Sequence, residues 1–170
     1  IWVNTTSGEV YVLTDATAGA NVWTNVGAGT GDIAPYGAIG GRGVFGGRTG
    51  APQTTIDYVT IANTGNATDF GDLTVGRRSM NAVSNGTRGA WGGGNTGTDT
   101  NEISYITIAT TGNGTDFGDR TVTAYVITGV SSSSRGVFGT GYKGSPAGNL
   151  EILDYITIAT TGNAIDFGDL

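Results

Sequence analysis

Asparagine and aspartate side chains recur at one fixed spacing, and these are the residues best suited to chemistry. The pattern Asn-x-x-Asp-x-x-Asp is formed by Asn66, Asp69 and Asp72, by Asn113, Asp116 and Asp119, and by Asn163, Asp166 and Asp169. Oxygen ligands around a glycine-containing loop are what calcium requires, so each copy is a candidate calcium site. The same side chains also cap turns by bonding their own backbone, and we favour this structural interpretation.

Three arginines also recur at one position of a short pattern, Arg-Gly-x-aromatic-Gly. They are Arg42, Arg88 and Arg135. A ring of guanidinium groups on a central face would bind an acidic glycan. Alternatively, each arginine forms a structural ion pair with a carboxylate of a neighbouring strand, Asp57, Glu102 or Asp154, and we favour this second interpretation.

Histidine and cysteine are both absent, which limits the chemistry available to the chain. Their absence excludes disulfides, Ser-His-Asp and Cys-His triads, and the usual zinc sites. An enzyme would have to rely on carboxylates, Lys143 or tyrosine, and no carboxylate pair stands out from the repeated background. We therefore predict a non-enzymatic protein without a cofactor other than calcium, and keep a glycan-processing enzyme as the weakest alternative.

The elements that would position these residues come from an internal repeat. Ile56–Ala62 recurs as Ile103–Ala109 and as Leu153–Ala159, at offsets of 47 and 50 residues. Each copy follows an Arg-Gly-x-aromatic-Gly element and continues into Thr-Gly-Asn-x-x-Asp-Phe-Gly-Asp. A period of this length is typical of repeat architectures. We place the three repeats at residues 36–76, 77–123 and 124–170, together forming a domain of residues 35–170.

Each repeat is predicted to contain four β-strands, because β-branched and aromatic residues alternate with period 2 between turn residues. In the second repeat the strands are expected at residues 79–84, 88–92, 103–109 and 116–122. Asn85-Gly86 predicts a type I′ turn between the first two. With 32 glycines and only 13% charged residues, the composition suits short strands and tight turns.

Residues 36–170 resemble kelch repeats, through Arg78–Val83, the glycine-rich Gly89–Gly94 and the strand that holds Tyr105. The resemblance implies β-propeller blades whose glycines allow close approach of neighbouring sheets. Phe70, Phe117 and Phe167 stand where kelch blades usually carry tryptophan. A closed propeller needs at least four blades, so we expect further repeats of a longer chain or self-association of residues 36–170, as a homo-oligomer.

Residues 1–34 are predicted to form a small β-hairpin module. Ser7-Gly8 separates two apolar alternating segments, and Trp23 would lie on a third short strand. Trp2 and Trp23 resemble the exposed aromatic residues of small carbohydrate-binding modules, which stack on sugars. We favour the alternative that both rings form the core of this small module.

The opening segment and the ends of the repeats together resemble tail-fibre and other virion appendage proteins of bacteriophages. Trp2–Val12, Val22–Gly27 and the Gly-Asn-x-x-Asp-Phe-Gly-Asp endings carry this resemblance. It implies a virion or extracellular location, attachment to a host-surface glycan, and commonly a trimer. A secreted bacterial adhesin or extracellular filament subunit is the alternative. The net charge of -6 argues against nucleic acid as a partner, and no apolar stretch is long enough to insert into a membrane.

Overall fold

The computed structural model describes residues 1–4, 9–17, 19, 21–27, 41–47 and 50–170. The elements found in these residues are β-strands, with no helix, so the predicted all-β class is confirmed. Accordingly, no helix capable of crossing a membrane occurs in them. The chain divides into two compact units, residues 1–39 and residues 40–170.

The first unit is a three-stranded antiparallel sheet in the order β1-β2-β3. Its strands are β1 (Trp2–Val3), β2 (Val10–Asp15) and β3 (Val22–Gly27). Trp2 lies opposite Tyr11, and Leu13 lies opposite Trp23. The antiparallel pairing of these three strands agrees with the hairpin and third strand predicted from the apolar alternation.

The first repeat contributes three described strands to the second unit. These are β4 (Arg42–Gly46), β5 (Gln53–Thr60) and β6 (Thr68–Arg77), in the spatial order β4-β5-β6. The fourth strand expected for this repeat would precede Arg42 and lies outside the described residues.

The second and third repeats are four-stranded antiparallel sheets. The second contains β7 (Asn81–Ser84), β8 (Arg88–Gly92), β9 (Glu102–Thr107) and β10 (Thr115–Asp119), which are adjacent in sequence order. The third contains β11 (Thr128–Ser131), β12 (Arg135–Gly139), β15 (Ile152–Thr157) and β16 (Ile165–Asp169), with a short hairpin of β13 (Tyr142–Gly144) and β14 (Ala147–Asn149) inserted after β12. A four-stranded sheet is thus confirmed for each of these two copies, and the inserted hairpin gives the third repeat two strands more than predicted.

The turn between β7 and β8 differs from the predicted type I′ turn. Gly86 has a positive φ of 86°, but Asn85 is not among the residues with positive φ. Instead, the Asn85 side-chain oxygen accepts hydrogen bonds from the backbone N–H groups of Thr87 and Arg88. The prediction of the turn's location was right and that of its type was wrong, because a side-chain bond holds the loop.

The hydrophobic core lies between successive repeats. One cluster combines Ile56, Phe70 and Leu73 of the first repeat with Trp91, Ile106 and Ile108 of the second. A second cluster joins residues of the second and third repeats, among them Val83, Phe117, Phe138 and Ile158. Each sheet therefore buries its apolar residues against the next sheet. The described strands form separate small sheets that do not close into a barrel or ring.

Glycines mark the places where adjacent sheets are closest. A Cβ added to Gly46 would lie 2.9 Å from the Trp91 ring, and one added to Gly92 would lie 2.9 Å from the Phe138 ring. At these second-strand glycines an aromatic side chain of the next repeat fills the space, rather than a neighbouring backbone. The backbone-to-backbone approach expected there occurs at the fourth strand, where a Cβ on Gly118 would lie 2.6 Å from the Gly162 carbonyl oxygen.

Candidate functional site

The recurring arginines form part of a column of stacked side chains that is repeated three times. In the second repeat, the Arg88 guanidinium lies 4.6 Å from the centre of the Tyr105 ring, which meets Phe117 edge-to-face at 5.7 Å. The corresponding columns are Arg42, Tyr58 and Phe70, and Arg135, Tyr155 and Phe167. The second, third and fourth strands supply one member each, so the antiparallel register builds the column.

Two of these guanidinium groups donate to the backbone of the following repeat. Arg42 Nη1 lies 3.0 Å from the Ile108 carbonyl oxygen, and Arg88 Nη1 lies 2.9 Å from that of Ala159. The Arg135 guanidinium stacks on Tyr155 in the same way but donates no hydrogen bond to the described part of the chain. For Arg42 and Arg88, carbonyl groups therefore take the place of the expected carboxylate partners. Glycan binding by Arg42, Arg88 and Arg135 stays a prediction.

A different pair of arginines is buried between the repeats. Arg120 Nε donates to Asp154 Oδ1 over 3.1 Å, and both side chains are fully buried. Asp154 Oδ2 also accepts from the backbone N–H and the hydroxyl of Thr121. This contact joins the second and third repeats and is the ion pair found in the described residues. Its arginine is Arg120, whereas the sequence pattern had suggested Arg135 as a partner of Asp154.

Arg77 occupies the corresponding place between the first and second repeats. It donates to the carbonyl oxygens of Gly93 and Glu102 and to the hydroxyl of Ser104, which holds the position of Asp154. Burial lowers the pKa of the Arg77 guanidinium, and the Glu102 carboxylate partly opposes that shift. Sequence reasoning missed both buried arginines because they follow the Asp-Phe-Gly-Asp pattern at different distances.

The asparagines of the candidate calcium sites bond to the preceding repeat. Asn113 Oδ1 accepts from the Asp72 backbone N–H at 3.1 Å, and Asn163 Oδ1 accepts from that of Asp119 at 3.0 Å. Each Thr-Gly-Asn turn is further joined to the preceding repeat by backbone bonds such as Gly162 N–H to the Phe117 carbonyl. The asparagines therefore act as caps between repeats.

The aspartates of these sites are exposed and partly engaged in local bonds. Asp116 and Asp166 each accept from the glycine two residues later, and Asp72 accepts from the Thr54 hydroxyl at 2.7 Å. Among the described residues, no three acidic side chains form a cluster suited to a metal ion. These contacts give structural roles to Asp72, Asn113, Asp116, Asn163 and Asp166, and calcium binding stays a prediction.

Each repeat also carries a shallow groove between its third strand and the following Thr-Gly-Asn turn. In the second repeat the groove has a volume of about 360 Å³ and is lined by residues that include Tyr105, Thr107, Thr111 and Asn113. The equivalent grooves of the first and third repeats have volumes of about 190 and 310 Å³. Threonine hydroxyl and asparagine amide groups line these grooves together with apolar side chains such as Val59, Ile106 and Ile165, and no carboxylate contributes to them. The grooves suit hydrogen bonding to a neutral polar ligand.

The two predicted aromatic ligands of the first unit lie on different strands. Trp23 on β3 keeps nearly half of its surface exposed, so the expectation that it forms the module's core is wrong. Exposure of this kind fits the alternative role of stacking on a sugar. Trp2 lies on β1, but its side chain lies outside the described residues.

No protein-family model matches the chain, and no curated protein matches it significantly.

Proposed function

We propose that this chain is a non-enzymatic structural protein of a virion appendage, a tail fibre or a decoration protein, that attaches to a host-surface glycan. In this proposal the stacked sheets form a rigid platform, and the three grooves present equivalent weak binding sites along it. The alternative is a secreted bacterial adhesin or extracellular filament subunit with the same platform.

The observation that carries the proposal is the repetition of one groove in all three repeats. The exposed threonines Thr64, Thr111 and Thr161 line the three grooves at equivalent positions. Several weak sites on one rigid body gain overall affinity for a repetitive polysaccharide, because the second and third contacts are intramolecular. The residues that line the grooves include no carboxyl group, which favours binding over glycoside hydrolysis, because hydrolysis requires a pair of them.

We further propose that the repeats are kelch-like propeller blades. Four-stranded antiparallel sheets, with an aromatic residue of one sheet packed on a glycine of the preceding one, support this architecture. Additional blades would come from further repeats of a longer chain or from another copy of this one. The assignment to a virion rests on the sequence resemblance described above.

Glycan binding by the full chain tests the proposed attachment role. A panel of bacterial surface polysaccharides is screened first, and the best ligand is then measured with the triple variant Thr64→Val, Thr111→Val and Thr161→Val. Valine keeps the shape of threonine but removes the hydroxyl, so we expect the apparent affinity to fall by about tenfold or more. Thr98→Val, on an exposed loop of the second repeat, is the control.

The outcomes separate the parts of the proposal. Absence of binding to every polysaccharide would contradict glycan attachment, and unchanged binding by the triple variant would exclude the grooves. Immunogold electron microscopy of the source tests the location. Gold particles on phage tails or capsids support the virion proposal, whereas gold on bacterial cells or filaments favours the adhesin alternative.

A further inference from the structure

The two outer faces of the repeat array expose residues whose equivalents are buried between repeats. On the face of the first repeat that points away from the second, Phe45 is 63% exposed and Ile61 is 69% exposed. The equivalent residues of the third repeat, Phe138 and Ile158, are fully buried against the second repeat. We call the surface that contains Phe45 and Ile61 the leading face.

The opposite end of the array shows the same contrast. Phe167 and Val130 of the third repeat are 53% and 69% exposed, whereas their second-repeat equivalents, Phe117 and Val83, are 3% and 2% exposed. We call the surface that contains Phe167, Val130 and Arg135 the trailing face. Terminal repeats of a stacked protein normally carry polar outer faces, so two apolar ends indicate that another repeat covers them.

The polar groups of the two faces are also complementary, because the trailing face holds a donor and the leading face holds the corresponding acceptor. Arg42 and Arg88 donate to carbonyl groups of the following repeat, and Arg135 on the trailing face has no such acceptor in the described chain. The equivalent carbonyl on the leading face is that of Ile61. Similarly, Asn66 is the copy of the capping asparagine that faces no preceding repeat among the described residues, whereas Asn113 and Asn163 each accept from one.

We propose that the leading face of one copy of this chain docks on the trailing face of a second copy, through the contacts that join successive repeats within the chain. Phe167 is then buried as Phe117 is, and Arg135 donates to the Ile61 carbonyl of the second copy. Because two different surfaces meet, the interface is heterologous. It closes into a ring or continues as a filament, depending on the rotation between copies. This inference deepens the proposal that another copy supplies additional blades and rests on that part of the proposed function, but it does not depend on a glycan.

One local difference distinguishes this contact from the internal ones. The Leu153 side chain covers Gly139, with Cδ2 2.5 Å from the position of an added Cβ, where aromatic rings cover Gly46 and Gly92. Phe45 of a second copy reaches Gly139 only after the Leu153 side chain turns away. The contact between copies is therefore weaker than the contact between covalently joined repeats.

Sedimentation velocity of the full chain, with one variant for each face, tests the proposal. Phe45→Asp blocks the leading face and Phe167→Asp blocks the trailing face. Both phenylalanines are largely exposed in the single chain, so the charged replacements remain hydrated and the fold is retained, which circular dichroism checks. Thr98→Asp adds the same charge to an exposed loop of the middle repeat and serves as the matched control.

Wild type and Thr98→Asp are expected to form concentration-dependent dimers and larger species. Each face variant alone should associate about thirtyfold or more weakly, because aromatic residues at the centre of an interface dominate its affinity. An equimolar mixture of the two variants should give a dimer and nothing larger, since one intact leading face and one intact trailing face remain for pairing. A wild-type chain that stays monomeric up to about 100 µM, a face variant that associates like the wild type, or a mixture without dimers would each overturn the proposal.

Discussion

Replacing Gly136 with alanine measures how tightly the second and third repeats pack against each other. Gly136 is buried on β12, and a Cβ at this position would lie 2.8 Å from Val83 Cβ and closer still to a Val83 methyl group. Val83 is itself buried, and its β-branched side chain has few rotamers available to move aside. We expect the added methyl group to destabilise the fold by about 1–3 kcal/mol, the usual cost of overpacking a core.

The repeats provide matched controls for this substitution. Gly89 and Gly43 hold the same position in the second and first repeats, but among the described residues the nearest neighbours of a Cβ there would lie at 3.8 and 3.4 Å, which are ordinary contact distances. Alanine at either position should change the free energy of unfolding by no more than about 0.5 kcal/mol. Both variants lose the same conformational freedom of glycine in the unfolded chain. The difference between their free energies of unfolding therefore measures the clash at residue 136 alone.

Urea denaturation of the full chain, followed by tryptophan fluorescence, gives these free energies. The double variant Val83→Ala/Gly136→Ala makes room for the new methyl group, so its cost should be smaller than the sum of the two single costs by at least about 0.5 kcal/mol. Equal costs for Gly136→Ala and Gly89→Ala, or additive costs in the double variant, would refute the face-to-face packing of these two sheets.

Three further substitutions test the contacts between repeats and the backbone. Asp154→Asn should cost about 3–5 kcal/mol in urea denaturation, because it leaves the buried Arg120 guanidinium without a countercharge; a cost below about 1 kcal/mol would show that this ion pair is not a structural unit. Asn163→Ala should cost about 0.5–1.5 kcal/mol and speed hydrogen exchange of the amide that it caps, whereas Asn66→Ala in the dilute monomer should have little effect on stability. Thr140→Gly should stabilise the chain by about 1 kcal/mol in thermal unfolding, because Thr140 has a φ of 53°, a conformation that glycine adopts without strain; a lower midpoint would contradict this.

The strands were predictable because their determinants are local. The alternation around Tyr105 predicts a strand at residues 103–109, and β9 occupies Glu102–Thr107. Turn residues on both sides limit each strand, so the repeat could be divided correctly without knowledge of its neighbours. The type of the Asn85-Gly86 turn was less predictable, because asparagine can either adopt a positive φ or bond the backbone with its side chain.

The partners of the polar residues were not predictable in the same way. Arg42, Arg88 and Arg135 were correctly singled out as a recurring set, but their expected carboxylate partners were wrong. Arg77 and Arg120 escaped notice because they do not occur at a constant position of the repeat. Burial made these two arginines important, and burial depends on how the next sheet packs.

The amino-acid sequence by itself determined the all-β class, the repeat and the approximate position of the strands, because alternation and turn chemistry act between residues close in the chain. Tertiary structure alone decided what the recurring side chains do. Arg42 bonds a carbonyl group 66 residues away and Asn113 caps a backbone N–H 41 residues away, and both contacts exist only once the sheets have stacked. Since a side chain selects its partner after packing has removed water and fixed the distances, the repeat pattern could identify these residues but not their contacts.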